Sequence, residues 1–131
     1  ALHFYVKFKG GEDNKLPVLL WLNGGPDVVK VRISAVIAPY YIEDGAPYKP
    51  DSDLKENSFS WLNLTNLLFI DSPAGVGYSI NADKNYKYND ANTAKDNVIA
   101  LANFFKKFEG YRKNYLILSL NTVNPCVLAY E

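Results

Sequence analysis

The residues best suited to chemistry are Asn23-Gly24-Gly25-Pro26, which follow directly on the apolar run Val18-Leu19-Leu20-Trp21-Leu22. Two glycines permit φ > 0 and leave their backbone N–H groups uncovered, and the proline fixes the exit of the chain. Delivered at the C-terminal end of a strand, such donors make one half of an oxyanion hole, which stabilises charge developing on a carbonyl oxygen. A tight turn between strand and loop uses the same residue types, so this segment alone leaves both readings open. Acyl transfer also needs a nucleophile, a histidine to take its proton, and a carboxylate to orient that histidine. The sequence has one histidine, His3, ahead of every other candidate. An exposed or hairpin histidine is its plainer reading.

Other chemistries find less support. Gly75-Val76-Gly77 has Ile80 where a dinucleotide fingerprint needs its third glycine, and no glycine-rich segment ends in Gly-Lys-Ser/Thr. A single cysteine, Cys126, forbids an internal disulfide and supports no metal cluster. No cofactor is expected. Tyr86, Tyr88 and Tyr111 lie among lysines, but 14 basic residues balance 14 acidic ones, which leaves no footprint for nucleic acid or an anionic membrane. No apolar run reaches the roughly 18 residues of a transmembrane helix. Ala1–Tyr5 lacks the charged region and apolar stretch of a signal peptide, so a leader is either absent or already removed. Asn63-Leu64-Thr65 is a glycosylation sequon, which matters only in a secreted chain.

The elements that must position these residues follow from hydrophobic periodicity. With 131 residues, 48% of them hydrophobic, one globular domain spanning 1–131 is expected. Residues 2–9 alternate, with Phe4, Val6 and Phe8 on one face and His3, Tyr5, Lys7 and Lys9 on the other. The turn material at 10–15 predicts a hairpin between this strand and the one at 17–22. Val18–Leu22 and Asn66–Asp71 are unbroken apolar runs, as strands buried on both faces of a parallel sheet require. Residues 27–37 are β-branched and fit either strand or helix, and a short strand is expected near Tyr40–Ile42. The helix pattern runs from Asp90, taken as N-cap, to about Phe108. Ala94, Val98, Leu101, Phe105 and Phe108 form its apolar stripe, and Gly110 serves as its stop. Tyr115–Leu120 makes a third apolar strand, so strand, helix and strand predict a right-handed βαβ unit. The fold class is α/β: an N-terminal hairpin plus mostly parallel central strands with a crossover helix.

Leu20–Pro26, Asn66–Ser79 and the stretch from Tyr88-Asn89-Asp90 through Thr93-Ala94-Lys95-Asp96 together resemble the serine carboxypeptidases of the α/β-hydrolase fold. The resemblance covers the whole chain but only the N-terminal part of a family domain. It implies removal of C-terminal residues from peptides, usually at acid pH, in lysosomes, vacuoles or the secretory route. It also implies that the Asn23 side chain and the Gly24 N–H hold the substrate's terminal carboxylate, while the Gly25 N–H stabilises the oxyanion. Asp71, Ser72, Pro73, Gly75 and Gly77 would belong to a shaped loop beside the site, and Ser72 would not be the nucleophile.

The chain departs from the family at two points. Gly-Cys-Ser-Ser after Gly-Gly-Pro is replaced by Asp27-Val28-Val29-Lys30, which puts a negative charge beside the carboxylate site. The family's Gly-Glu-Ser-Tyr-Ala-Gly elbow corresponds to Leu118-Ser119-Leu120-Asn121-Thr122-Val123, with the catalytic position at Ser119 or Asn121 according to register. Neither register has flanking glycines, and Leu118 and Leu120 resist the strained turn an elbow needs, so Ser119 reads better as a strand residue. With no histidine after it, these residues assemble no triad. Two readings stay open: an incomplete carboxypeptidase-like chain, inactive on its own, or a non-catalytic binding or structural subunit descended from one. In both, strand 115–120 needs a cover, from further chain or from a protein partner.

Overall fold

The apolar run before Asn23 forms strand β2 (Val18–Asn23), in which Val18 and Leu20 are wholly buried and Leu19 and Leu22 only 4% and 5% exposed. The computed structural model describes residues 1–11, 14–23, 37–42, 54–83 and 85–121. In the main sheet β2 lies between β5 (Asn66–Ile70) and β6 (Leu116–Asn121), parallel to both, and β1 (Phe4–Lys7) runs antiparallel on the outer side of β5. The order is β1-β5-β2-β6. A separate antiparallel ribbon pairs β3 (Tyr40–Ile42) with β4 (Leu54–Glu56), of which only the first was expected. Of residues 27–37, only Ile37 is among those described; it packs with Leu19 and Leu67 on one face of the sheet.

The sheet corrects the expected N-terminal hairpin. Phe4 pairs with Ile70 and Lys7 with Leu67, so β1 and β2 are separated by β5. β5 is itself an apolar run and needs a neighbour on each side, and β2 already has two parallel neighbours. The segment after β1 reverses direction as predicted, but it crosses the end of β5. The fully buried Asn66 holds it there. The Asn66 carboxamide oxygen accepts from Lys9 N–H at 3.2 Å, and its Nδ2 donates to Asn14 Oδ1 at 2.9 Å and to the Leu16 carbonyl at 3.0 Å. Asn114 Nδ2 donates to the carbonyls of Asn14 and Leu16, which ties the approach to β6 to the same knot.

Helix α1 (Asp90–Lys107) covers the face carrying Val18, Leu20, Leu22, Leu68 and Ile70. Its N-cap is Asn89 rather than Asp90: the Asn89 side chain accepts from Asn92 N–H at 2.8 Å, and Asp90 supplies the first-turn negative charge that suits the helix dipole. The helix ends at Lys107, and Gly110 falls in a following 3-10 turn, Glu109–Lys113. The fully buried positions are Ala94, Asn97, Ala100 and Phe104; of the expected stripe Ala94 is buried, Leu101, Phe105 and Phe108 are half-buried against the core, and Val98 is 40% exposed. Phe104 sets this rotation. It meets Phe4 edge-on at 5.8 Å, and Phe8, which stacks on Tyr111 at 4.3 Å, continues the same aromatic core. Phe4, Val6 and Phe8 therefore do face inward together, as their alternation implied.

β6 is the edge strand, and Leu116, Ile117 and Leu118 are 37%, 41% and 45% exposed. By register Leu116 and Leu118 share the α1 face with Val18 and Leu20, whereas Ile117 lies on the other, so both faces of β6 are bare among the described residues.

The polar loop before α1 is tied to the helix by Tyr86, whose hydroxyl donates to Asp96 Oδ2 at 2.7 Å. That hydrogen bond, with burial and the carboxylate's charge, pushes the Tyr86 phenol up to about 12. A phenol raised on folding stabilises the native state below its ordinary pKa and loses that contribution as pH climbs through its folded value. Absorbance titration should show one tyrosine ionising near pH 12, and Asp96→Asn should move it back toward 10.

Candidate active site

The parallel strands β5, β2 and β6 all end on one side of the sheet, the place where open α/β sheets bind ligands. Asn23 closes β2 and stands in register with Asn121, which closes β6. On the other flank, Ile70 closes β5 and the chain enters the loop 71–79. Gly24 and Gly25, the expected backbone donors, lie outside the described residues.

The loop is organised by Asp71 and by two glycines in the left-handed region, Gly75 (φ 90°) and Gly77 (φ 59°). Asp71 Oδ2 accepts from the Tyr78 N–H at 3.0 Å, and a Cβ on Gly77 would collide with the same carboxylate. Any larger residue there is strained by the backbone and must displace the Asp71 carboxylate. The loop is then fastened to the start of the chain. Asp71 N–H donates to the His3 carbonyl at 3.0 Å, and His3 N–H donates to Ser79 Oγ at 2.8 Å. Ser79 Oγ in turn donates to the Asp71 carbonyl. The His3 ring sits with Nδ1 3.6 Å from Asp71 Oδ2 and its centroid 5.5 Å from that of Tyr78. Ser72 and Pro73 are joined by a cis peptide bond, and Ser72 Oγ is buried.

The structure separates the two sequence candidates for attack and proton transfer. Ser119 is half-buried inside the β6 ladder, paired with Trp21, two residues short of the strand end. His3 lies across the sheet at the β1 edge, three strand spacings or about 14 Å from β6. General-base catalysis needs hydrogen-bond reach, so His3 takes no proton from Ser119. Among the described residues no three His, Cys, Asp or Glu side chains gather as a metal site.

Three buried groups lack hydrogen-bond partners among the described residues: Trp21 Nε1, Ser72 Oγ and both amide atoms of Asn97. Buried polar groups are normally satisfied. Ser72 leaves β5, Trp21 is near the end of β2, and Asn97 is in the half of α1 joined to that loop. The asparagines at the opposite end of the sheet are engaged. Sequence reasoning did not single out Asn97; its signal was a polar residue within the 3–4 spacing of Ala94, Ala100 and Phe104.

A family model described as serine carboxypeptidase matches residues 1–120. The chain belongs to the serine carboxypeptidase family. Mouse lysosomal protective protein is 36% identical over 119 residues, covering 89% of this chain and 24% of that protein. Serine carboxypeptidase-like 34 from Arabidopsis thaliana is 38% identical over 116 residues, covering 85% of this chain and 22% of its own length. The chain thus spans about a quarter of the length of the curated relatives it matches. Among solved structures, the prohormone-processing carboxypeptidase Kex1(delta)p from Saccharomyces cerevisiae superposes with a TM-score of 0.67 at 25% identity, over 91% of this chain and 26% of that one. The mostly parallel sheet with its crossover helix is therefore the start of the carboxypeptidase α/β-hydrolase architecture.

Within this loop Gly77→Ala should cost about 1–3 kcal/mol, from the left-handed backbone and the collision with Asp71. Gly10→Ala, at φ 96° in open space, carries the backbone cost alone. Urea denaturation of both variants checks the difference, and equal losses would remove Asp71 as the loop's organiser.

Proposed function

We propose that these residues form the substrate-gripping part of a serine-type carboxypeptidase, a hydrolase that releases C-terminal residues from peptides. The observation that carries the reading is the position of Asn23 at the end of β2, level with the end of β6 and beside the loop after β5, in a chain matched to the family over 1–120. The Asn23 side chain and the Gly24 N–H bind the terminal carboxylate, which favours preorganised donors over a mobile charge. The Gly25 N–H meets the carbonyl oxygen as an incoming hydroxyl adds to the carbonyl carbon, and it stabilises the resulting oxyanion. Neither proton transfer nor attack is assigned to His3 or Ser119, given the distance and the ladder position described above. Both steps are assigned to residues outside these 131, and the bare faces of β6 are where the elements carrying them, or a partner chain, pack.

The mouse relative's name places it in the lysosome, and we assign this chain to the lysosome, vacuole or secretory route. No helix among the described residues is long and apolar enough to cross a membrane.

The test is a comparison of blocked dipeptides at pH 5 with these 131 residues joined to the residues that carry nucleophile and base; the 131 residues alone are expected to show no turnover. Release of the C-terminal amino acid by the joined chain is expected, stopped by a serine-directed phosphonate. Asn23→Ala should lower kcat/KM by about 10- to 100-fold on free-acid substrates and much less on C-terminal amides. Binding of the peptides without turnover would favour the non-catalytic subunit, for which the glycine-free ladder Leu118-Ser119-Leu120 speaks. Cleavage inside the peptide instead of at its end would overturn the carboxypeptidase reading.

A further inference from the structure

Asn63-Leu64-Thr65 is the one Asn-x-Ser/Thr sequence in the chain, and its surroundings contain an apolar surface that the fold leaves unexplained. Asn63 ends the 3-10 turn Trp61–Asn63, just before β5, and is exposed. Around it Phe59 is 89% exposed, Leu64 72% and Trp61 38%. Three large apolar side chains are thus bared within six residues of sequence, beside Asn63. They are not at the candidate active site. Lys9 Nζ donates to the Asn63 carbonyl at 2.9 Å and Lys9 N–H to Asn66 at the start of β5, which puts the turn at the opposite end of the sheet from Asn23.

We propose that Asn63 carries an N-linked glycan, and that its first sugars lie over Phe59, Trp61 and Leu64. The inference rests on the secretory assignment made above. In the transfer, Asn63 Nδ2 forms a bond to the anomeric carbon of a lipid-linked oligosaccharide diphosphate, the lipid diphosphate leaves with the bonding electrons, and Nδ2 gives up one proton. The local geometry suits the product. Nδ2 has two hydrogens and donates one of them to the Ser58 carbonyl at 3.1 Å, so the second is available for replacement while that contact persists. Sugar C–H faces pack on aromatic rings, and Phe59 and Trp61 offer two such rings.

Thr65 sets the timing. Its side chain is 7% exposed, and its hydroxyl donates to the Trp61 carbonyl at 3.0 Å. That structural role accounts for Thr65 without a glycan, but it does not account for the exposed Asn63 or its apolar collar. Because the folded chain withdraws Thr65 from a transferase, the modification occurs on the nascent chain.

The experiment expresses the full chain behind a secretory leader in a eukaryotic host. Peptide-N-glycosidase should shift the secreted protein by one glycan and leave a deamidated residue 63. Asn63→Gln should abolish the shift and Thr65→Ser should keep it. Secreted wild-type protein that is untouched by the glycosidase would overturn the proposal, because the leader removes dependence on the chain's own route. If Asn63→Gln is not secreted, the same digestion of wild-type protein followed by peptide mapping decides the matter. The patch is tested by a hydrophobic dye on wild type before and after deglycosylation under native conditions. Dye binding should rise several-fold on removal of the glycan, and no rise would contradict the covering role.

Discussion

Parallel pairing on both sides of β2 is the constraint from which the rest of the structure follows. A strand whose Val18 and Leu20 see no solvent must be flanked and covered, and β5 and β6 flank it in registers that align all three C-terminal ends. Parallel strands cannot be joined by a tight turn, so a crossover is required, and α1 supplies it between β5 and β6. The same alignment brings Asn23, Asn121 and the loop after Ile70 to one edge. The place of the proposed site is therefore a consequence of the sheet's polarity, and the chemistry proposed for it depends on which residues end the strands.

The two ends of the sheet differ in their state of completion. At the starting end, Asn14, Asn66 and Asn114 form a closed network that ties three chain segments together. The fully buried Asn66 at its centre is costly unless its partners are in place, so the network fixes register there. At the other end Trp21, Ser72 and Asn97 keep buried polar atoms without partners among the described residues, while Leu116, Ile117 and Leu118 in the first half of β6 are bare on its two faces. The loop 71–79 is the exception there, since Asp71, Gly77, His3 and Ser79 close it on themselves.

Much of this was legible in the sequence, and the failures have identifiable causes. β2 and β5 announced themselves as apolar runs too long and too uniform for strands with a solvated face. The family motifs pointed to the strand ends at which the site is proposed. The hairpin expectation failed because turn residues report that a chain reverses, not how many strands it crosses; Asn66, buried under the crossing, carried that information and looks like an ordinary strand start. Of the expected stripe on α1 only Val98 fails, chosen over Asn97 because it is the more hydrophobic residue. Asn97 is nevertheless buried, since Phe104 fixes the helix's rotation by packing on Phe4. The cap at Asn89 was missed for Asp90, its neighbour and an equally good capping type, which side-chain chemistry alone does not separate. The short strand β4 has little apolar content and exists through pairing with β3.

The central claim is that the end of β2 recognises a peptide's terminal carboxylate. It is tested most directly by titrating the isotopically labelled full chain with a blocked dipeptide bearing a free C-terminal carboxylate and, separately, with its amide. The account predicts that the Gly24 backbone amide and the Asn23 side-chain amide resonances move with the acid and stay in place with the amide. Equal movement with both peptides, or movement confined to residues away from Asn23, would contradict it.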